Sequence, residues 1–188
     1  NWNILGSHSV SIFFVLSGFL ITWIIQKERK KFKTIDIKKF YLRRMLRIWP
    51  LYYLYLIIVI LVTAESNVPL NLKSFWLYIF FAPNIPFIIG PRIQLLAHYW
   101  SLGVEEQFYI FWPWLNAKAR SIVKWAVALI IIFILTRVTL HLFYPNSMFE
   151  KFLRITRFHC MMIGAVGASF YTQQHPVFLK LIDNKITQ

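Results

Sequence analysis

Apolar residues run along this chain in long blocks separated by short basic stretches, without the alternation of a strand or the single stripe of a surface helix. A helix needs roughly 17–25 mostly apolar residues to cross a bilayer core about 30 Å thick. Five blocks read as spans, at residues 10–26, 48–64, 98–115, 125–143 and 158–171. A further apolar stretch, residues 74–96, is interrupted by Pro83, Asn84, Pro86, Gly90 and Pro91. Such backbone is tolerated at membrane depth only where protein or a water-filled cavity covers it. The predicted fold is therefore all-α: a polytopic transmembrane helix bundle of about five spans plus one broken or re-entrant segment. Residues 1–188 carry no internal repeat, low-complexity tract or long linker, so a single domain is expected.

Composition agrees with this pattern. Hydrophobic residues make up 58% of the chain and charged residues 15%, against about a quarter charged in soluble domains. The formal net charge of +14 raises nucleic-acid binding as a reading, but the basic residues sit at the ends of apolar blocks. That is the positive-inside pattern, so the expected partners are membrane lipids and no nucleic acid. Residues 27–47 hold ten basic residues against Glu28 and Asp36, which predicts a cytoplasmic loop, with Pro50 near the start of the next span's first turn. Residues 65–73 are then an outer loop. If residues 74–96 re-enter, the basic stretch 116–124 is cytoplasmic; if they span, it lies outside. The charge rule favours re-entry. An outer loop with Arg154 and Arg157 and a cytoplasmic tail at residues 172–188 complete the expected topology. Residues 1–8 are read as a loop with no basic leader, and the single Cys160 excludes an intrachain disulfide.

Polar groups inside apolar spans are costly and hence candidates for function. On a helix, His98, Ser101, Glu105 and Tyr109 form one polar stripe, with Glu106 about 100° away. The stripe is either a reactive cluster or a structural one that pairs with Arg137 or Arg157. Arg43, Arg44 and Arg47 share one broad helical face. Guanidinium groups suit the phosphates of a phosphorylated ligand, while a juxtamembrane basic run also binds anionic lipid with no ligand at all. Arg137 and His141, four residues apart, form a weaker set, and His8 reads as a solvated loop residue.

Four segments resemble the membrane-bound acyltransferase 3 family, whose bacterial members O-acylate surface glycans and glycolipids. Residues 6–22 are similar to its G-x-x-x-V-x-x-F-F-V-L-S-G-F-L-I-T opening, and residues 43–52 to its R-R-x-x-R-I-x-P-x-Y motif. Residues 98–109 match H-x-W-S-L-x-V-E-E-Q-F-Y. Residues 156–164 match T-R-F-D-x-x-x-x-G, with His159 where an acid is usual. The resemblance implies an integral protein of the bacterial inner membrane and a fragment starting just before the family's second span. It implies acyl-coenzyme A as donor substrate, held at Arg44 and Arg47 with Arg43 beside them, and a glycan or glycolipid acceptor. No resident cofactor or metal is implied. The family's base is a His of its first span, for which this sequence offers no match. His98 and Glu105 are left as assisting groups and Arg157 as a charge stabiliser. The competing class is a non-enzymatic transporter or structural bundle, which the specific 98–109 run argues against.

Overall fold

The computed structural model describes residues 2–65, 72–90 and 92–182, and every regular element among them is helical. In chain order these are α1 (Trp2–Phe32), α2 (Ile37–Glu65), α3 (Leu72–Ile79), α4 (Asn84–Ile89), a 3-10 turn at Gln94–Leu96, α5 (Tyr99–Lys118), α6 (Ile122–Phe143), α7 (Met148–Thr156), α8 (Phe158–Thr172) and α9 (Pro176–Ile182). Three stretches are long and apolar enough to cross a bilayer: His8–Phe32, Ile37–Glu65 and Ile122–Phe143. The other two expected spans fall outside that set for physical reasons. α5 carries two adjacent carboxylates, and α8 has 15 residues, about 22 Å at the helical rise.

Several expected loops are helix instead. α1 already includes residues 2–8, so His8 stands on a helix and not in a loop. The basic run 27–47 is no loop either, since α1 and α2 extend through it and leave only residues 33–36 between them. Charged side chains at helix ends reach water by snorkelling and do not stop the backbone helix. Asp36 starts α2, accepting a 3.0 Å hydrogen bond from the Lys39 amide. Pro50 therefore lies well inside α2, not in its first turn, and forfeits one i to i−4 backbone bond there. The expected outer loop after α6 holds the nine-residue α7. The Ser147 hydroxyl accepts from the Glu150 amide at 3.2 Å, as a capping residue does. The expected outer loop at 65–73 lies mostly outside the described residues.

The described chain divides into two compact units. The first comprises residues 2–35, 111–145 and 157–182. Here α8 packs against both α1 and α6. Gly18 and Gly164 make the α1–α8 crossing possible. A Cβ on Gly18 would overlap the Met161 carbonyl oxygen, and one on Gly164 would overlap that of Val15. Small residues of this kind replace the hydrophobic effect as the source of helix association in lipid. Thr22 accepts a 2.8 Å hydrogen bond from the Trp112 indole, and Gln26 donates at 2.8 Å to Ser169. By contrast, α6 buries only Ala126. Its apolar surface needs lipid as its solvent.

The second unit comprises residues 36–65, 72–90, 92–110 and 146–156. Its core gathers Tyr52, Leu56, Val59, Tyr78, Ile93, Leu96 and Tyr99. Each buried phenol spends its hydroxyl on backbone: Tyr52 donates to Tyr78 O at 2.6 Å, Tyr99 to Tyr52 O at 2.9 Å, and Ile93 N donates to the Tyr78 hydroxyl at 3.2 Å. The expected interruption of residues 74–96 is present as α3, α4 and the 3-10 turn. The Tyr52 and Tyr78 hydroxyls take up backbone groups of this segment that a continuous helix would have satisfied itself.

Candidate active site

The arginine run of α2 meets the acidic run of α5 inside the second unit. Tyr41, three residues before Arg44, donates its hydroxyl to Ile110 O at 2.6 Å and reaches Tyr109 O at 3.2 Å. That contact sets the register of the two helices. It places the Arg44 guanidinium 3.6 Å from the centre of the Tyr109 ring, a cation–π geometry. The Arg44 Nε lies 3.7 Å from Glu106 Oε1. This is an ion pair at contact range, longer than a hydrogen bond. Both atoms are buried, and neither has a hydrogen-bond partner among the described residues. Arg44 is thus oriented by stacking and charge while retaining donor capacity.

The α2 arginines do not act as one face. Arg44 is half-buried, whereas Arg43 and Arg47 are exposed. The expected polar stripe on α5 also divides. Glu105 and Tyr109 are buried, but His98 is exposed and stands before the first residue of α5. Its ring rests edge-on against Tyr55 and Tyr99, at centroid distances of 5.5 and 5.0 Å. Ser101 donates to the His98 carbonyl at 3.2 Å, which ties down the backbone of His98 and not its imidazole.

Next to the acids, Gln107 anchors the broken segment. Its amide donates to Asn84 Oδ1 at 2.9 Å and to Phe81 O at 3.3 Å, and it accepts from Asn84 Nδ2 at 3.1 Å. Asn84 is fully buried, so this reciprocal amide pair satisfies groups that would otherwise be costly. One turn earlier, a Cβ on Gly103 would press into the Pro83 ring. Gly103 and Gln107 together seat the Pro83–Asn84 break against α5.

Arg137, Arg157 and His159 belong to the first unit. Arg157 is the sole non-helical residue between α7 and α8, with φ 45° and ψ 36°. For a residue other than glycine this conformation costs about 1–3 kcal/mol and persists only when its surroundings enforce it. Its Nη1 donates to Ser11 Oγ at 2.8 Å. The His159 ring lies 5.1 Å from that of Phe133, and its buried Nδ1 has no hydrogen-bond partner among the described residues. Arg154, expected in the same loop, pairs with the buried Glu150 at 3.9 Å on α7. His141 is exposed. The contact that spacing alone missed is Arg44–Glu106. Its available signal was charge: two acids on α5 require basic partners, and the arginines expected to supply them were Arg137 and Arg157.

Three helices long and apolar enough to cross a bilayer, one of which carries an arginine paired with a carboxylate of α5, are those of an integral membrane protein with a charged site on its helices. A family model described as an acyltransferase domain matches residues 1–182, and the chain belongs to this acyltransferase 3 family. It is 32% identical over 126 residues to the peptidoglycan O-acetyltransferase OatA of Listeria monocytogenes, covering 60% of this chain and 20% of that protein. It is 28% identical over 182 residues to the O-acetyltransferase OatA of Staphylococcus aureus, covering 87% of this chain and 30% of that protein. A putative O-acetyltransferase of Staphylococcus aureus is 35% identical over 124 residues, covering 60% of this chain and 20% of the relative. The chain therefore spans less than a third of the length of these relatives. No solved structure matches it significantly.

Proposed function

We propose that the protein carrying this chain is an O-acyltransferase of the bacterial inner membrane. It moves an acyl group, acetyl in the simplest case, from acyl-coenzyme A to a hydroxyl of a cell-surface glycan. The observation that carries the reading is the Arg44–Glu106–Tyr109 contact, which joins the two most specific motifs of the chain into one oriented cationic site. A guanidinium held by stacking offers its remaining N–H groups to phosphate oxygens. Glu106 offsets part of its charge, so a phosphorylated ligand is attracted while release stays feasible. Exposed Arg43 and Arg47, on the same helix, add long-range attraction for an anionic donor.

The reaction forms a bond between the acceptor oxygen and the thioester carbonyl carbon and breaks the carbon–sulfur bond. The hydroxyl proton passes to a base, and the coenzyme A thiolate takes up a proton on leaving. Developing charge on the carbonyl oxygen needs a donor, a role that suits Arg157, whose strained backbone holds it against Ser11. Glu105, buried on α5, and His98, at its exposed entrance, remain assisting groups. The broken segment at residues 74–96 re-enters in this reading. Arg29 donates to Asn116 O at 3.1 Å and Lys30 donates to Thr172 O, so α1, α5 and α8 end on one side. In this reading α2 runs outward from the short connection at residues 33–36, and α5 is taken as the returning segment. The basic stretches 27–33 and 116–124 then share the cytoplasmic face.

The test is to incubate acetyl-labelled acetyl-coenzyme A with membranes containing the complete gene product. Alkali-labile label in the glycan fraction, absent from control membranes, is the expected result. No label above control would return the protein to a non-enzymatic bundle.

A further inference from the structure

The first unit holds a cavity that none of the residues discussed above as catalytic or donor-binding enters. It measures about 540 Å³ and lies where α1, α5 and α8 end and α6 begins. Arg29, Lys30, Lys33 and Arg120 all line it, and no carboxylate does so among the described residues. Its volume falls in the range of small-molecule sites, roughly 300–1,000 Å³.

Two of the four cations have structural work. Arg29 donates to the Asn116 carbonyl at 3.1 Å and Lys30 to that of Thr172. They offset the negative C-terminal ends of α5 and α8. Lys33 and Arg120 are different. Lys33 ends α1 with φ 61°, and its amide donates to Arg29 O at 2.9 Å. At such a helix stop glycine is the usual residue, because a Cβ is strained there. This sequence accepts the strain and places a cation on the cavity wall. Arg120 lies in the turn between α5 and α6, followed by Ser121 and Ile122, which line the same cavity at the positive end of α6. Four cations and a helix N-terminus around one cavity favour a multiply charged anion.

We infer that this cavity binds a phosphate ester, with Arg120 supplying a planar fork and Lys33 a point charge. Two sources present that chemistry at the basic face of a membrane protein: a soluble nucleotide phosphate and the phosphodiester of an anionic lipid. The inference goes beyond the donor role proposed for the α2 arginines and uses none of those residues.

The test uses the complete protein in phosphatidylcholine nanodiscs, with Lys33→Asn/Arg120→Gln compared against wild type. Asparagine tolerates the left-handed backbone, and Arg120 is exposed, so folding is retained and is checked by thermal unfolding. Lys27→Gln/Lys31→Gln removes equal charge from the same helix end outside the cavity lining. One arm measures binding of radiolabelled adenosine 3′,5′-bisphosphate. The other measures retention of phosphatidylglycerol doped into the nanodisc. Losing two charge-assisted contacts weakens the true ligand on the order of tenfold or more, while the control pair shifts it by less than about twofold. Weakening in the first arm identifies a soluble phosphate, and weakening in the second identifies a lipid headgroup. The inference is overturned if wild type binds neither probe, if the double variant keeps wild-type affinity in both arms, or if the control pair loses as much as the double variant.

Discussion

Replacing Arg44 and Glu106 by glutamine, singly and together, isolates the contact that joins α2 to α5. At the observed 3.7 Å and an effective dielectric near 20, Coulomb attraction amounts to about 4–5 kcal/mol. The side chains keep 21% and 16% of their surface exposed, so solvent screens part of that attraction, and the cost of desolvating both charges opposes more of it. A net coupling of about 1–2 kcal/mol remains, within the range for residues in direct contact. Each single variant also leaves a half-buried charge alone, so each loses about 2 kcal/mol. The double variant then loses less than the sum by the coupling energy. The assay is SDS-driven unfolding of the complete protein in mixed micelles, with all four proteins measured side by side. Strict additivity would refute the pairing, because a guanidinium and a carboxylate that do not sense each other leave no cross term. Tyr109→Leu, measured in the same way, removes the cation–π contact and costs about 0.5–2 kcal/mol.

Other parts of the account make separate predictions. Gly164→Ala drives a methyl into the Val15 carbonyl and destabilises the α1–α8 crossing by about 1–3 kcal/mol; unchanged thermal unfolding of the detergent-solubilised protein would contradict that close approach. Asn84→Ala leaves Gln107 Oε1 without its Asn84 donor and its amide with Phe81 O alone, which costs about 1–3 kcal/mol, whereas a neutral result would mean water replaces the pair. The Lys39 amide that donates to Asp36 holds this carboxyl below the usual carboxylate range. Its contribution to the start of α2 is therefore present at neutral pH and is lost as pH falls through that lowered value; Asp36→Asn removes this component from the pH profile of unfolding, and an identical acid limb in both proteins would exclude it. Lys31→Cys is labelled by an impermeant maleimide only after cells are opened, and labelling in sealed cells would reverse the assigned topology.

Much of the fold is legible in the sequence because lipid imposes a coarse rule: a continuous apolar run becomes a helix. The blocks at residues 10–26, 48–64 and 125–143 lie inside α1, α2 and α6 for that reason. The ends of the helices were less legible, since hydropathy marks where the bilayer stops and not where the backbone does. α1 runs on to Phe32, and α2 starts again at Ile37, capped by Asp36. α7 was legible in principle: Ser147 followed three residues later by Glu150 is a capping-box pattern, hidden in what hydropathy marks as a loop. At the candidate site, helical spacing placed Glu105 and Tyr109 on a common side of α5. It carried no information about where the helix starts, which puts His98 outside. Nor does spacing within one helix say which neighbour it meets. Arg44 and Glu106 are 62 positions apart, counted from their numbers, and only packing brings them together.

The central claim is that Arg44, oriented by Tyr109 and Glu106, handles the phosphorylated donor. The most direct measurement is the apparent KM for acetyl-coenzyme A of the complete protein carrying Arg44→Lys, with the KM for acceptor glycan measured alongside. Lysine keeps the charge but loses the planar fork and the stacking. The account predicts a donor KM raised on the order of tenfold, equivalent to about 1.4 kcal/mol, with the acceptor KM unchanged. An unchanged donor KM, or an equal rise for donor and acceptor, would contradict it.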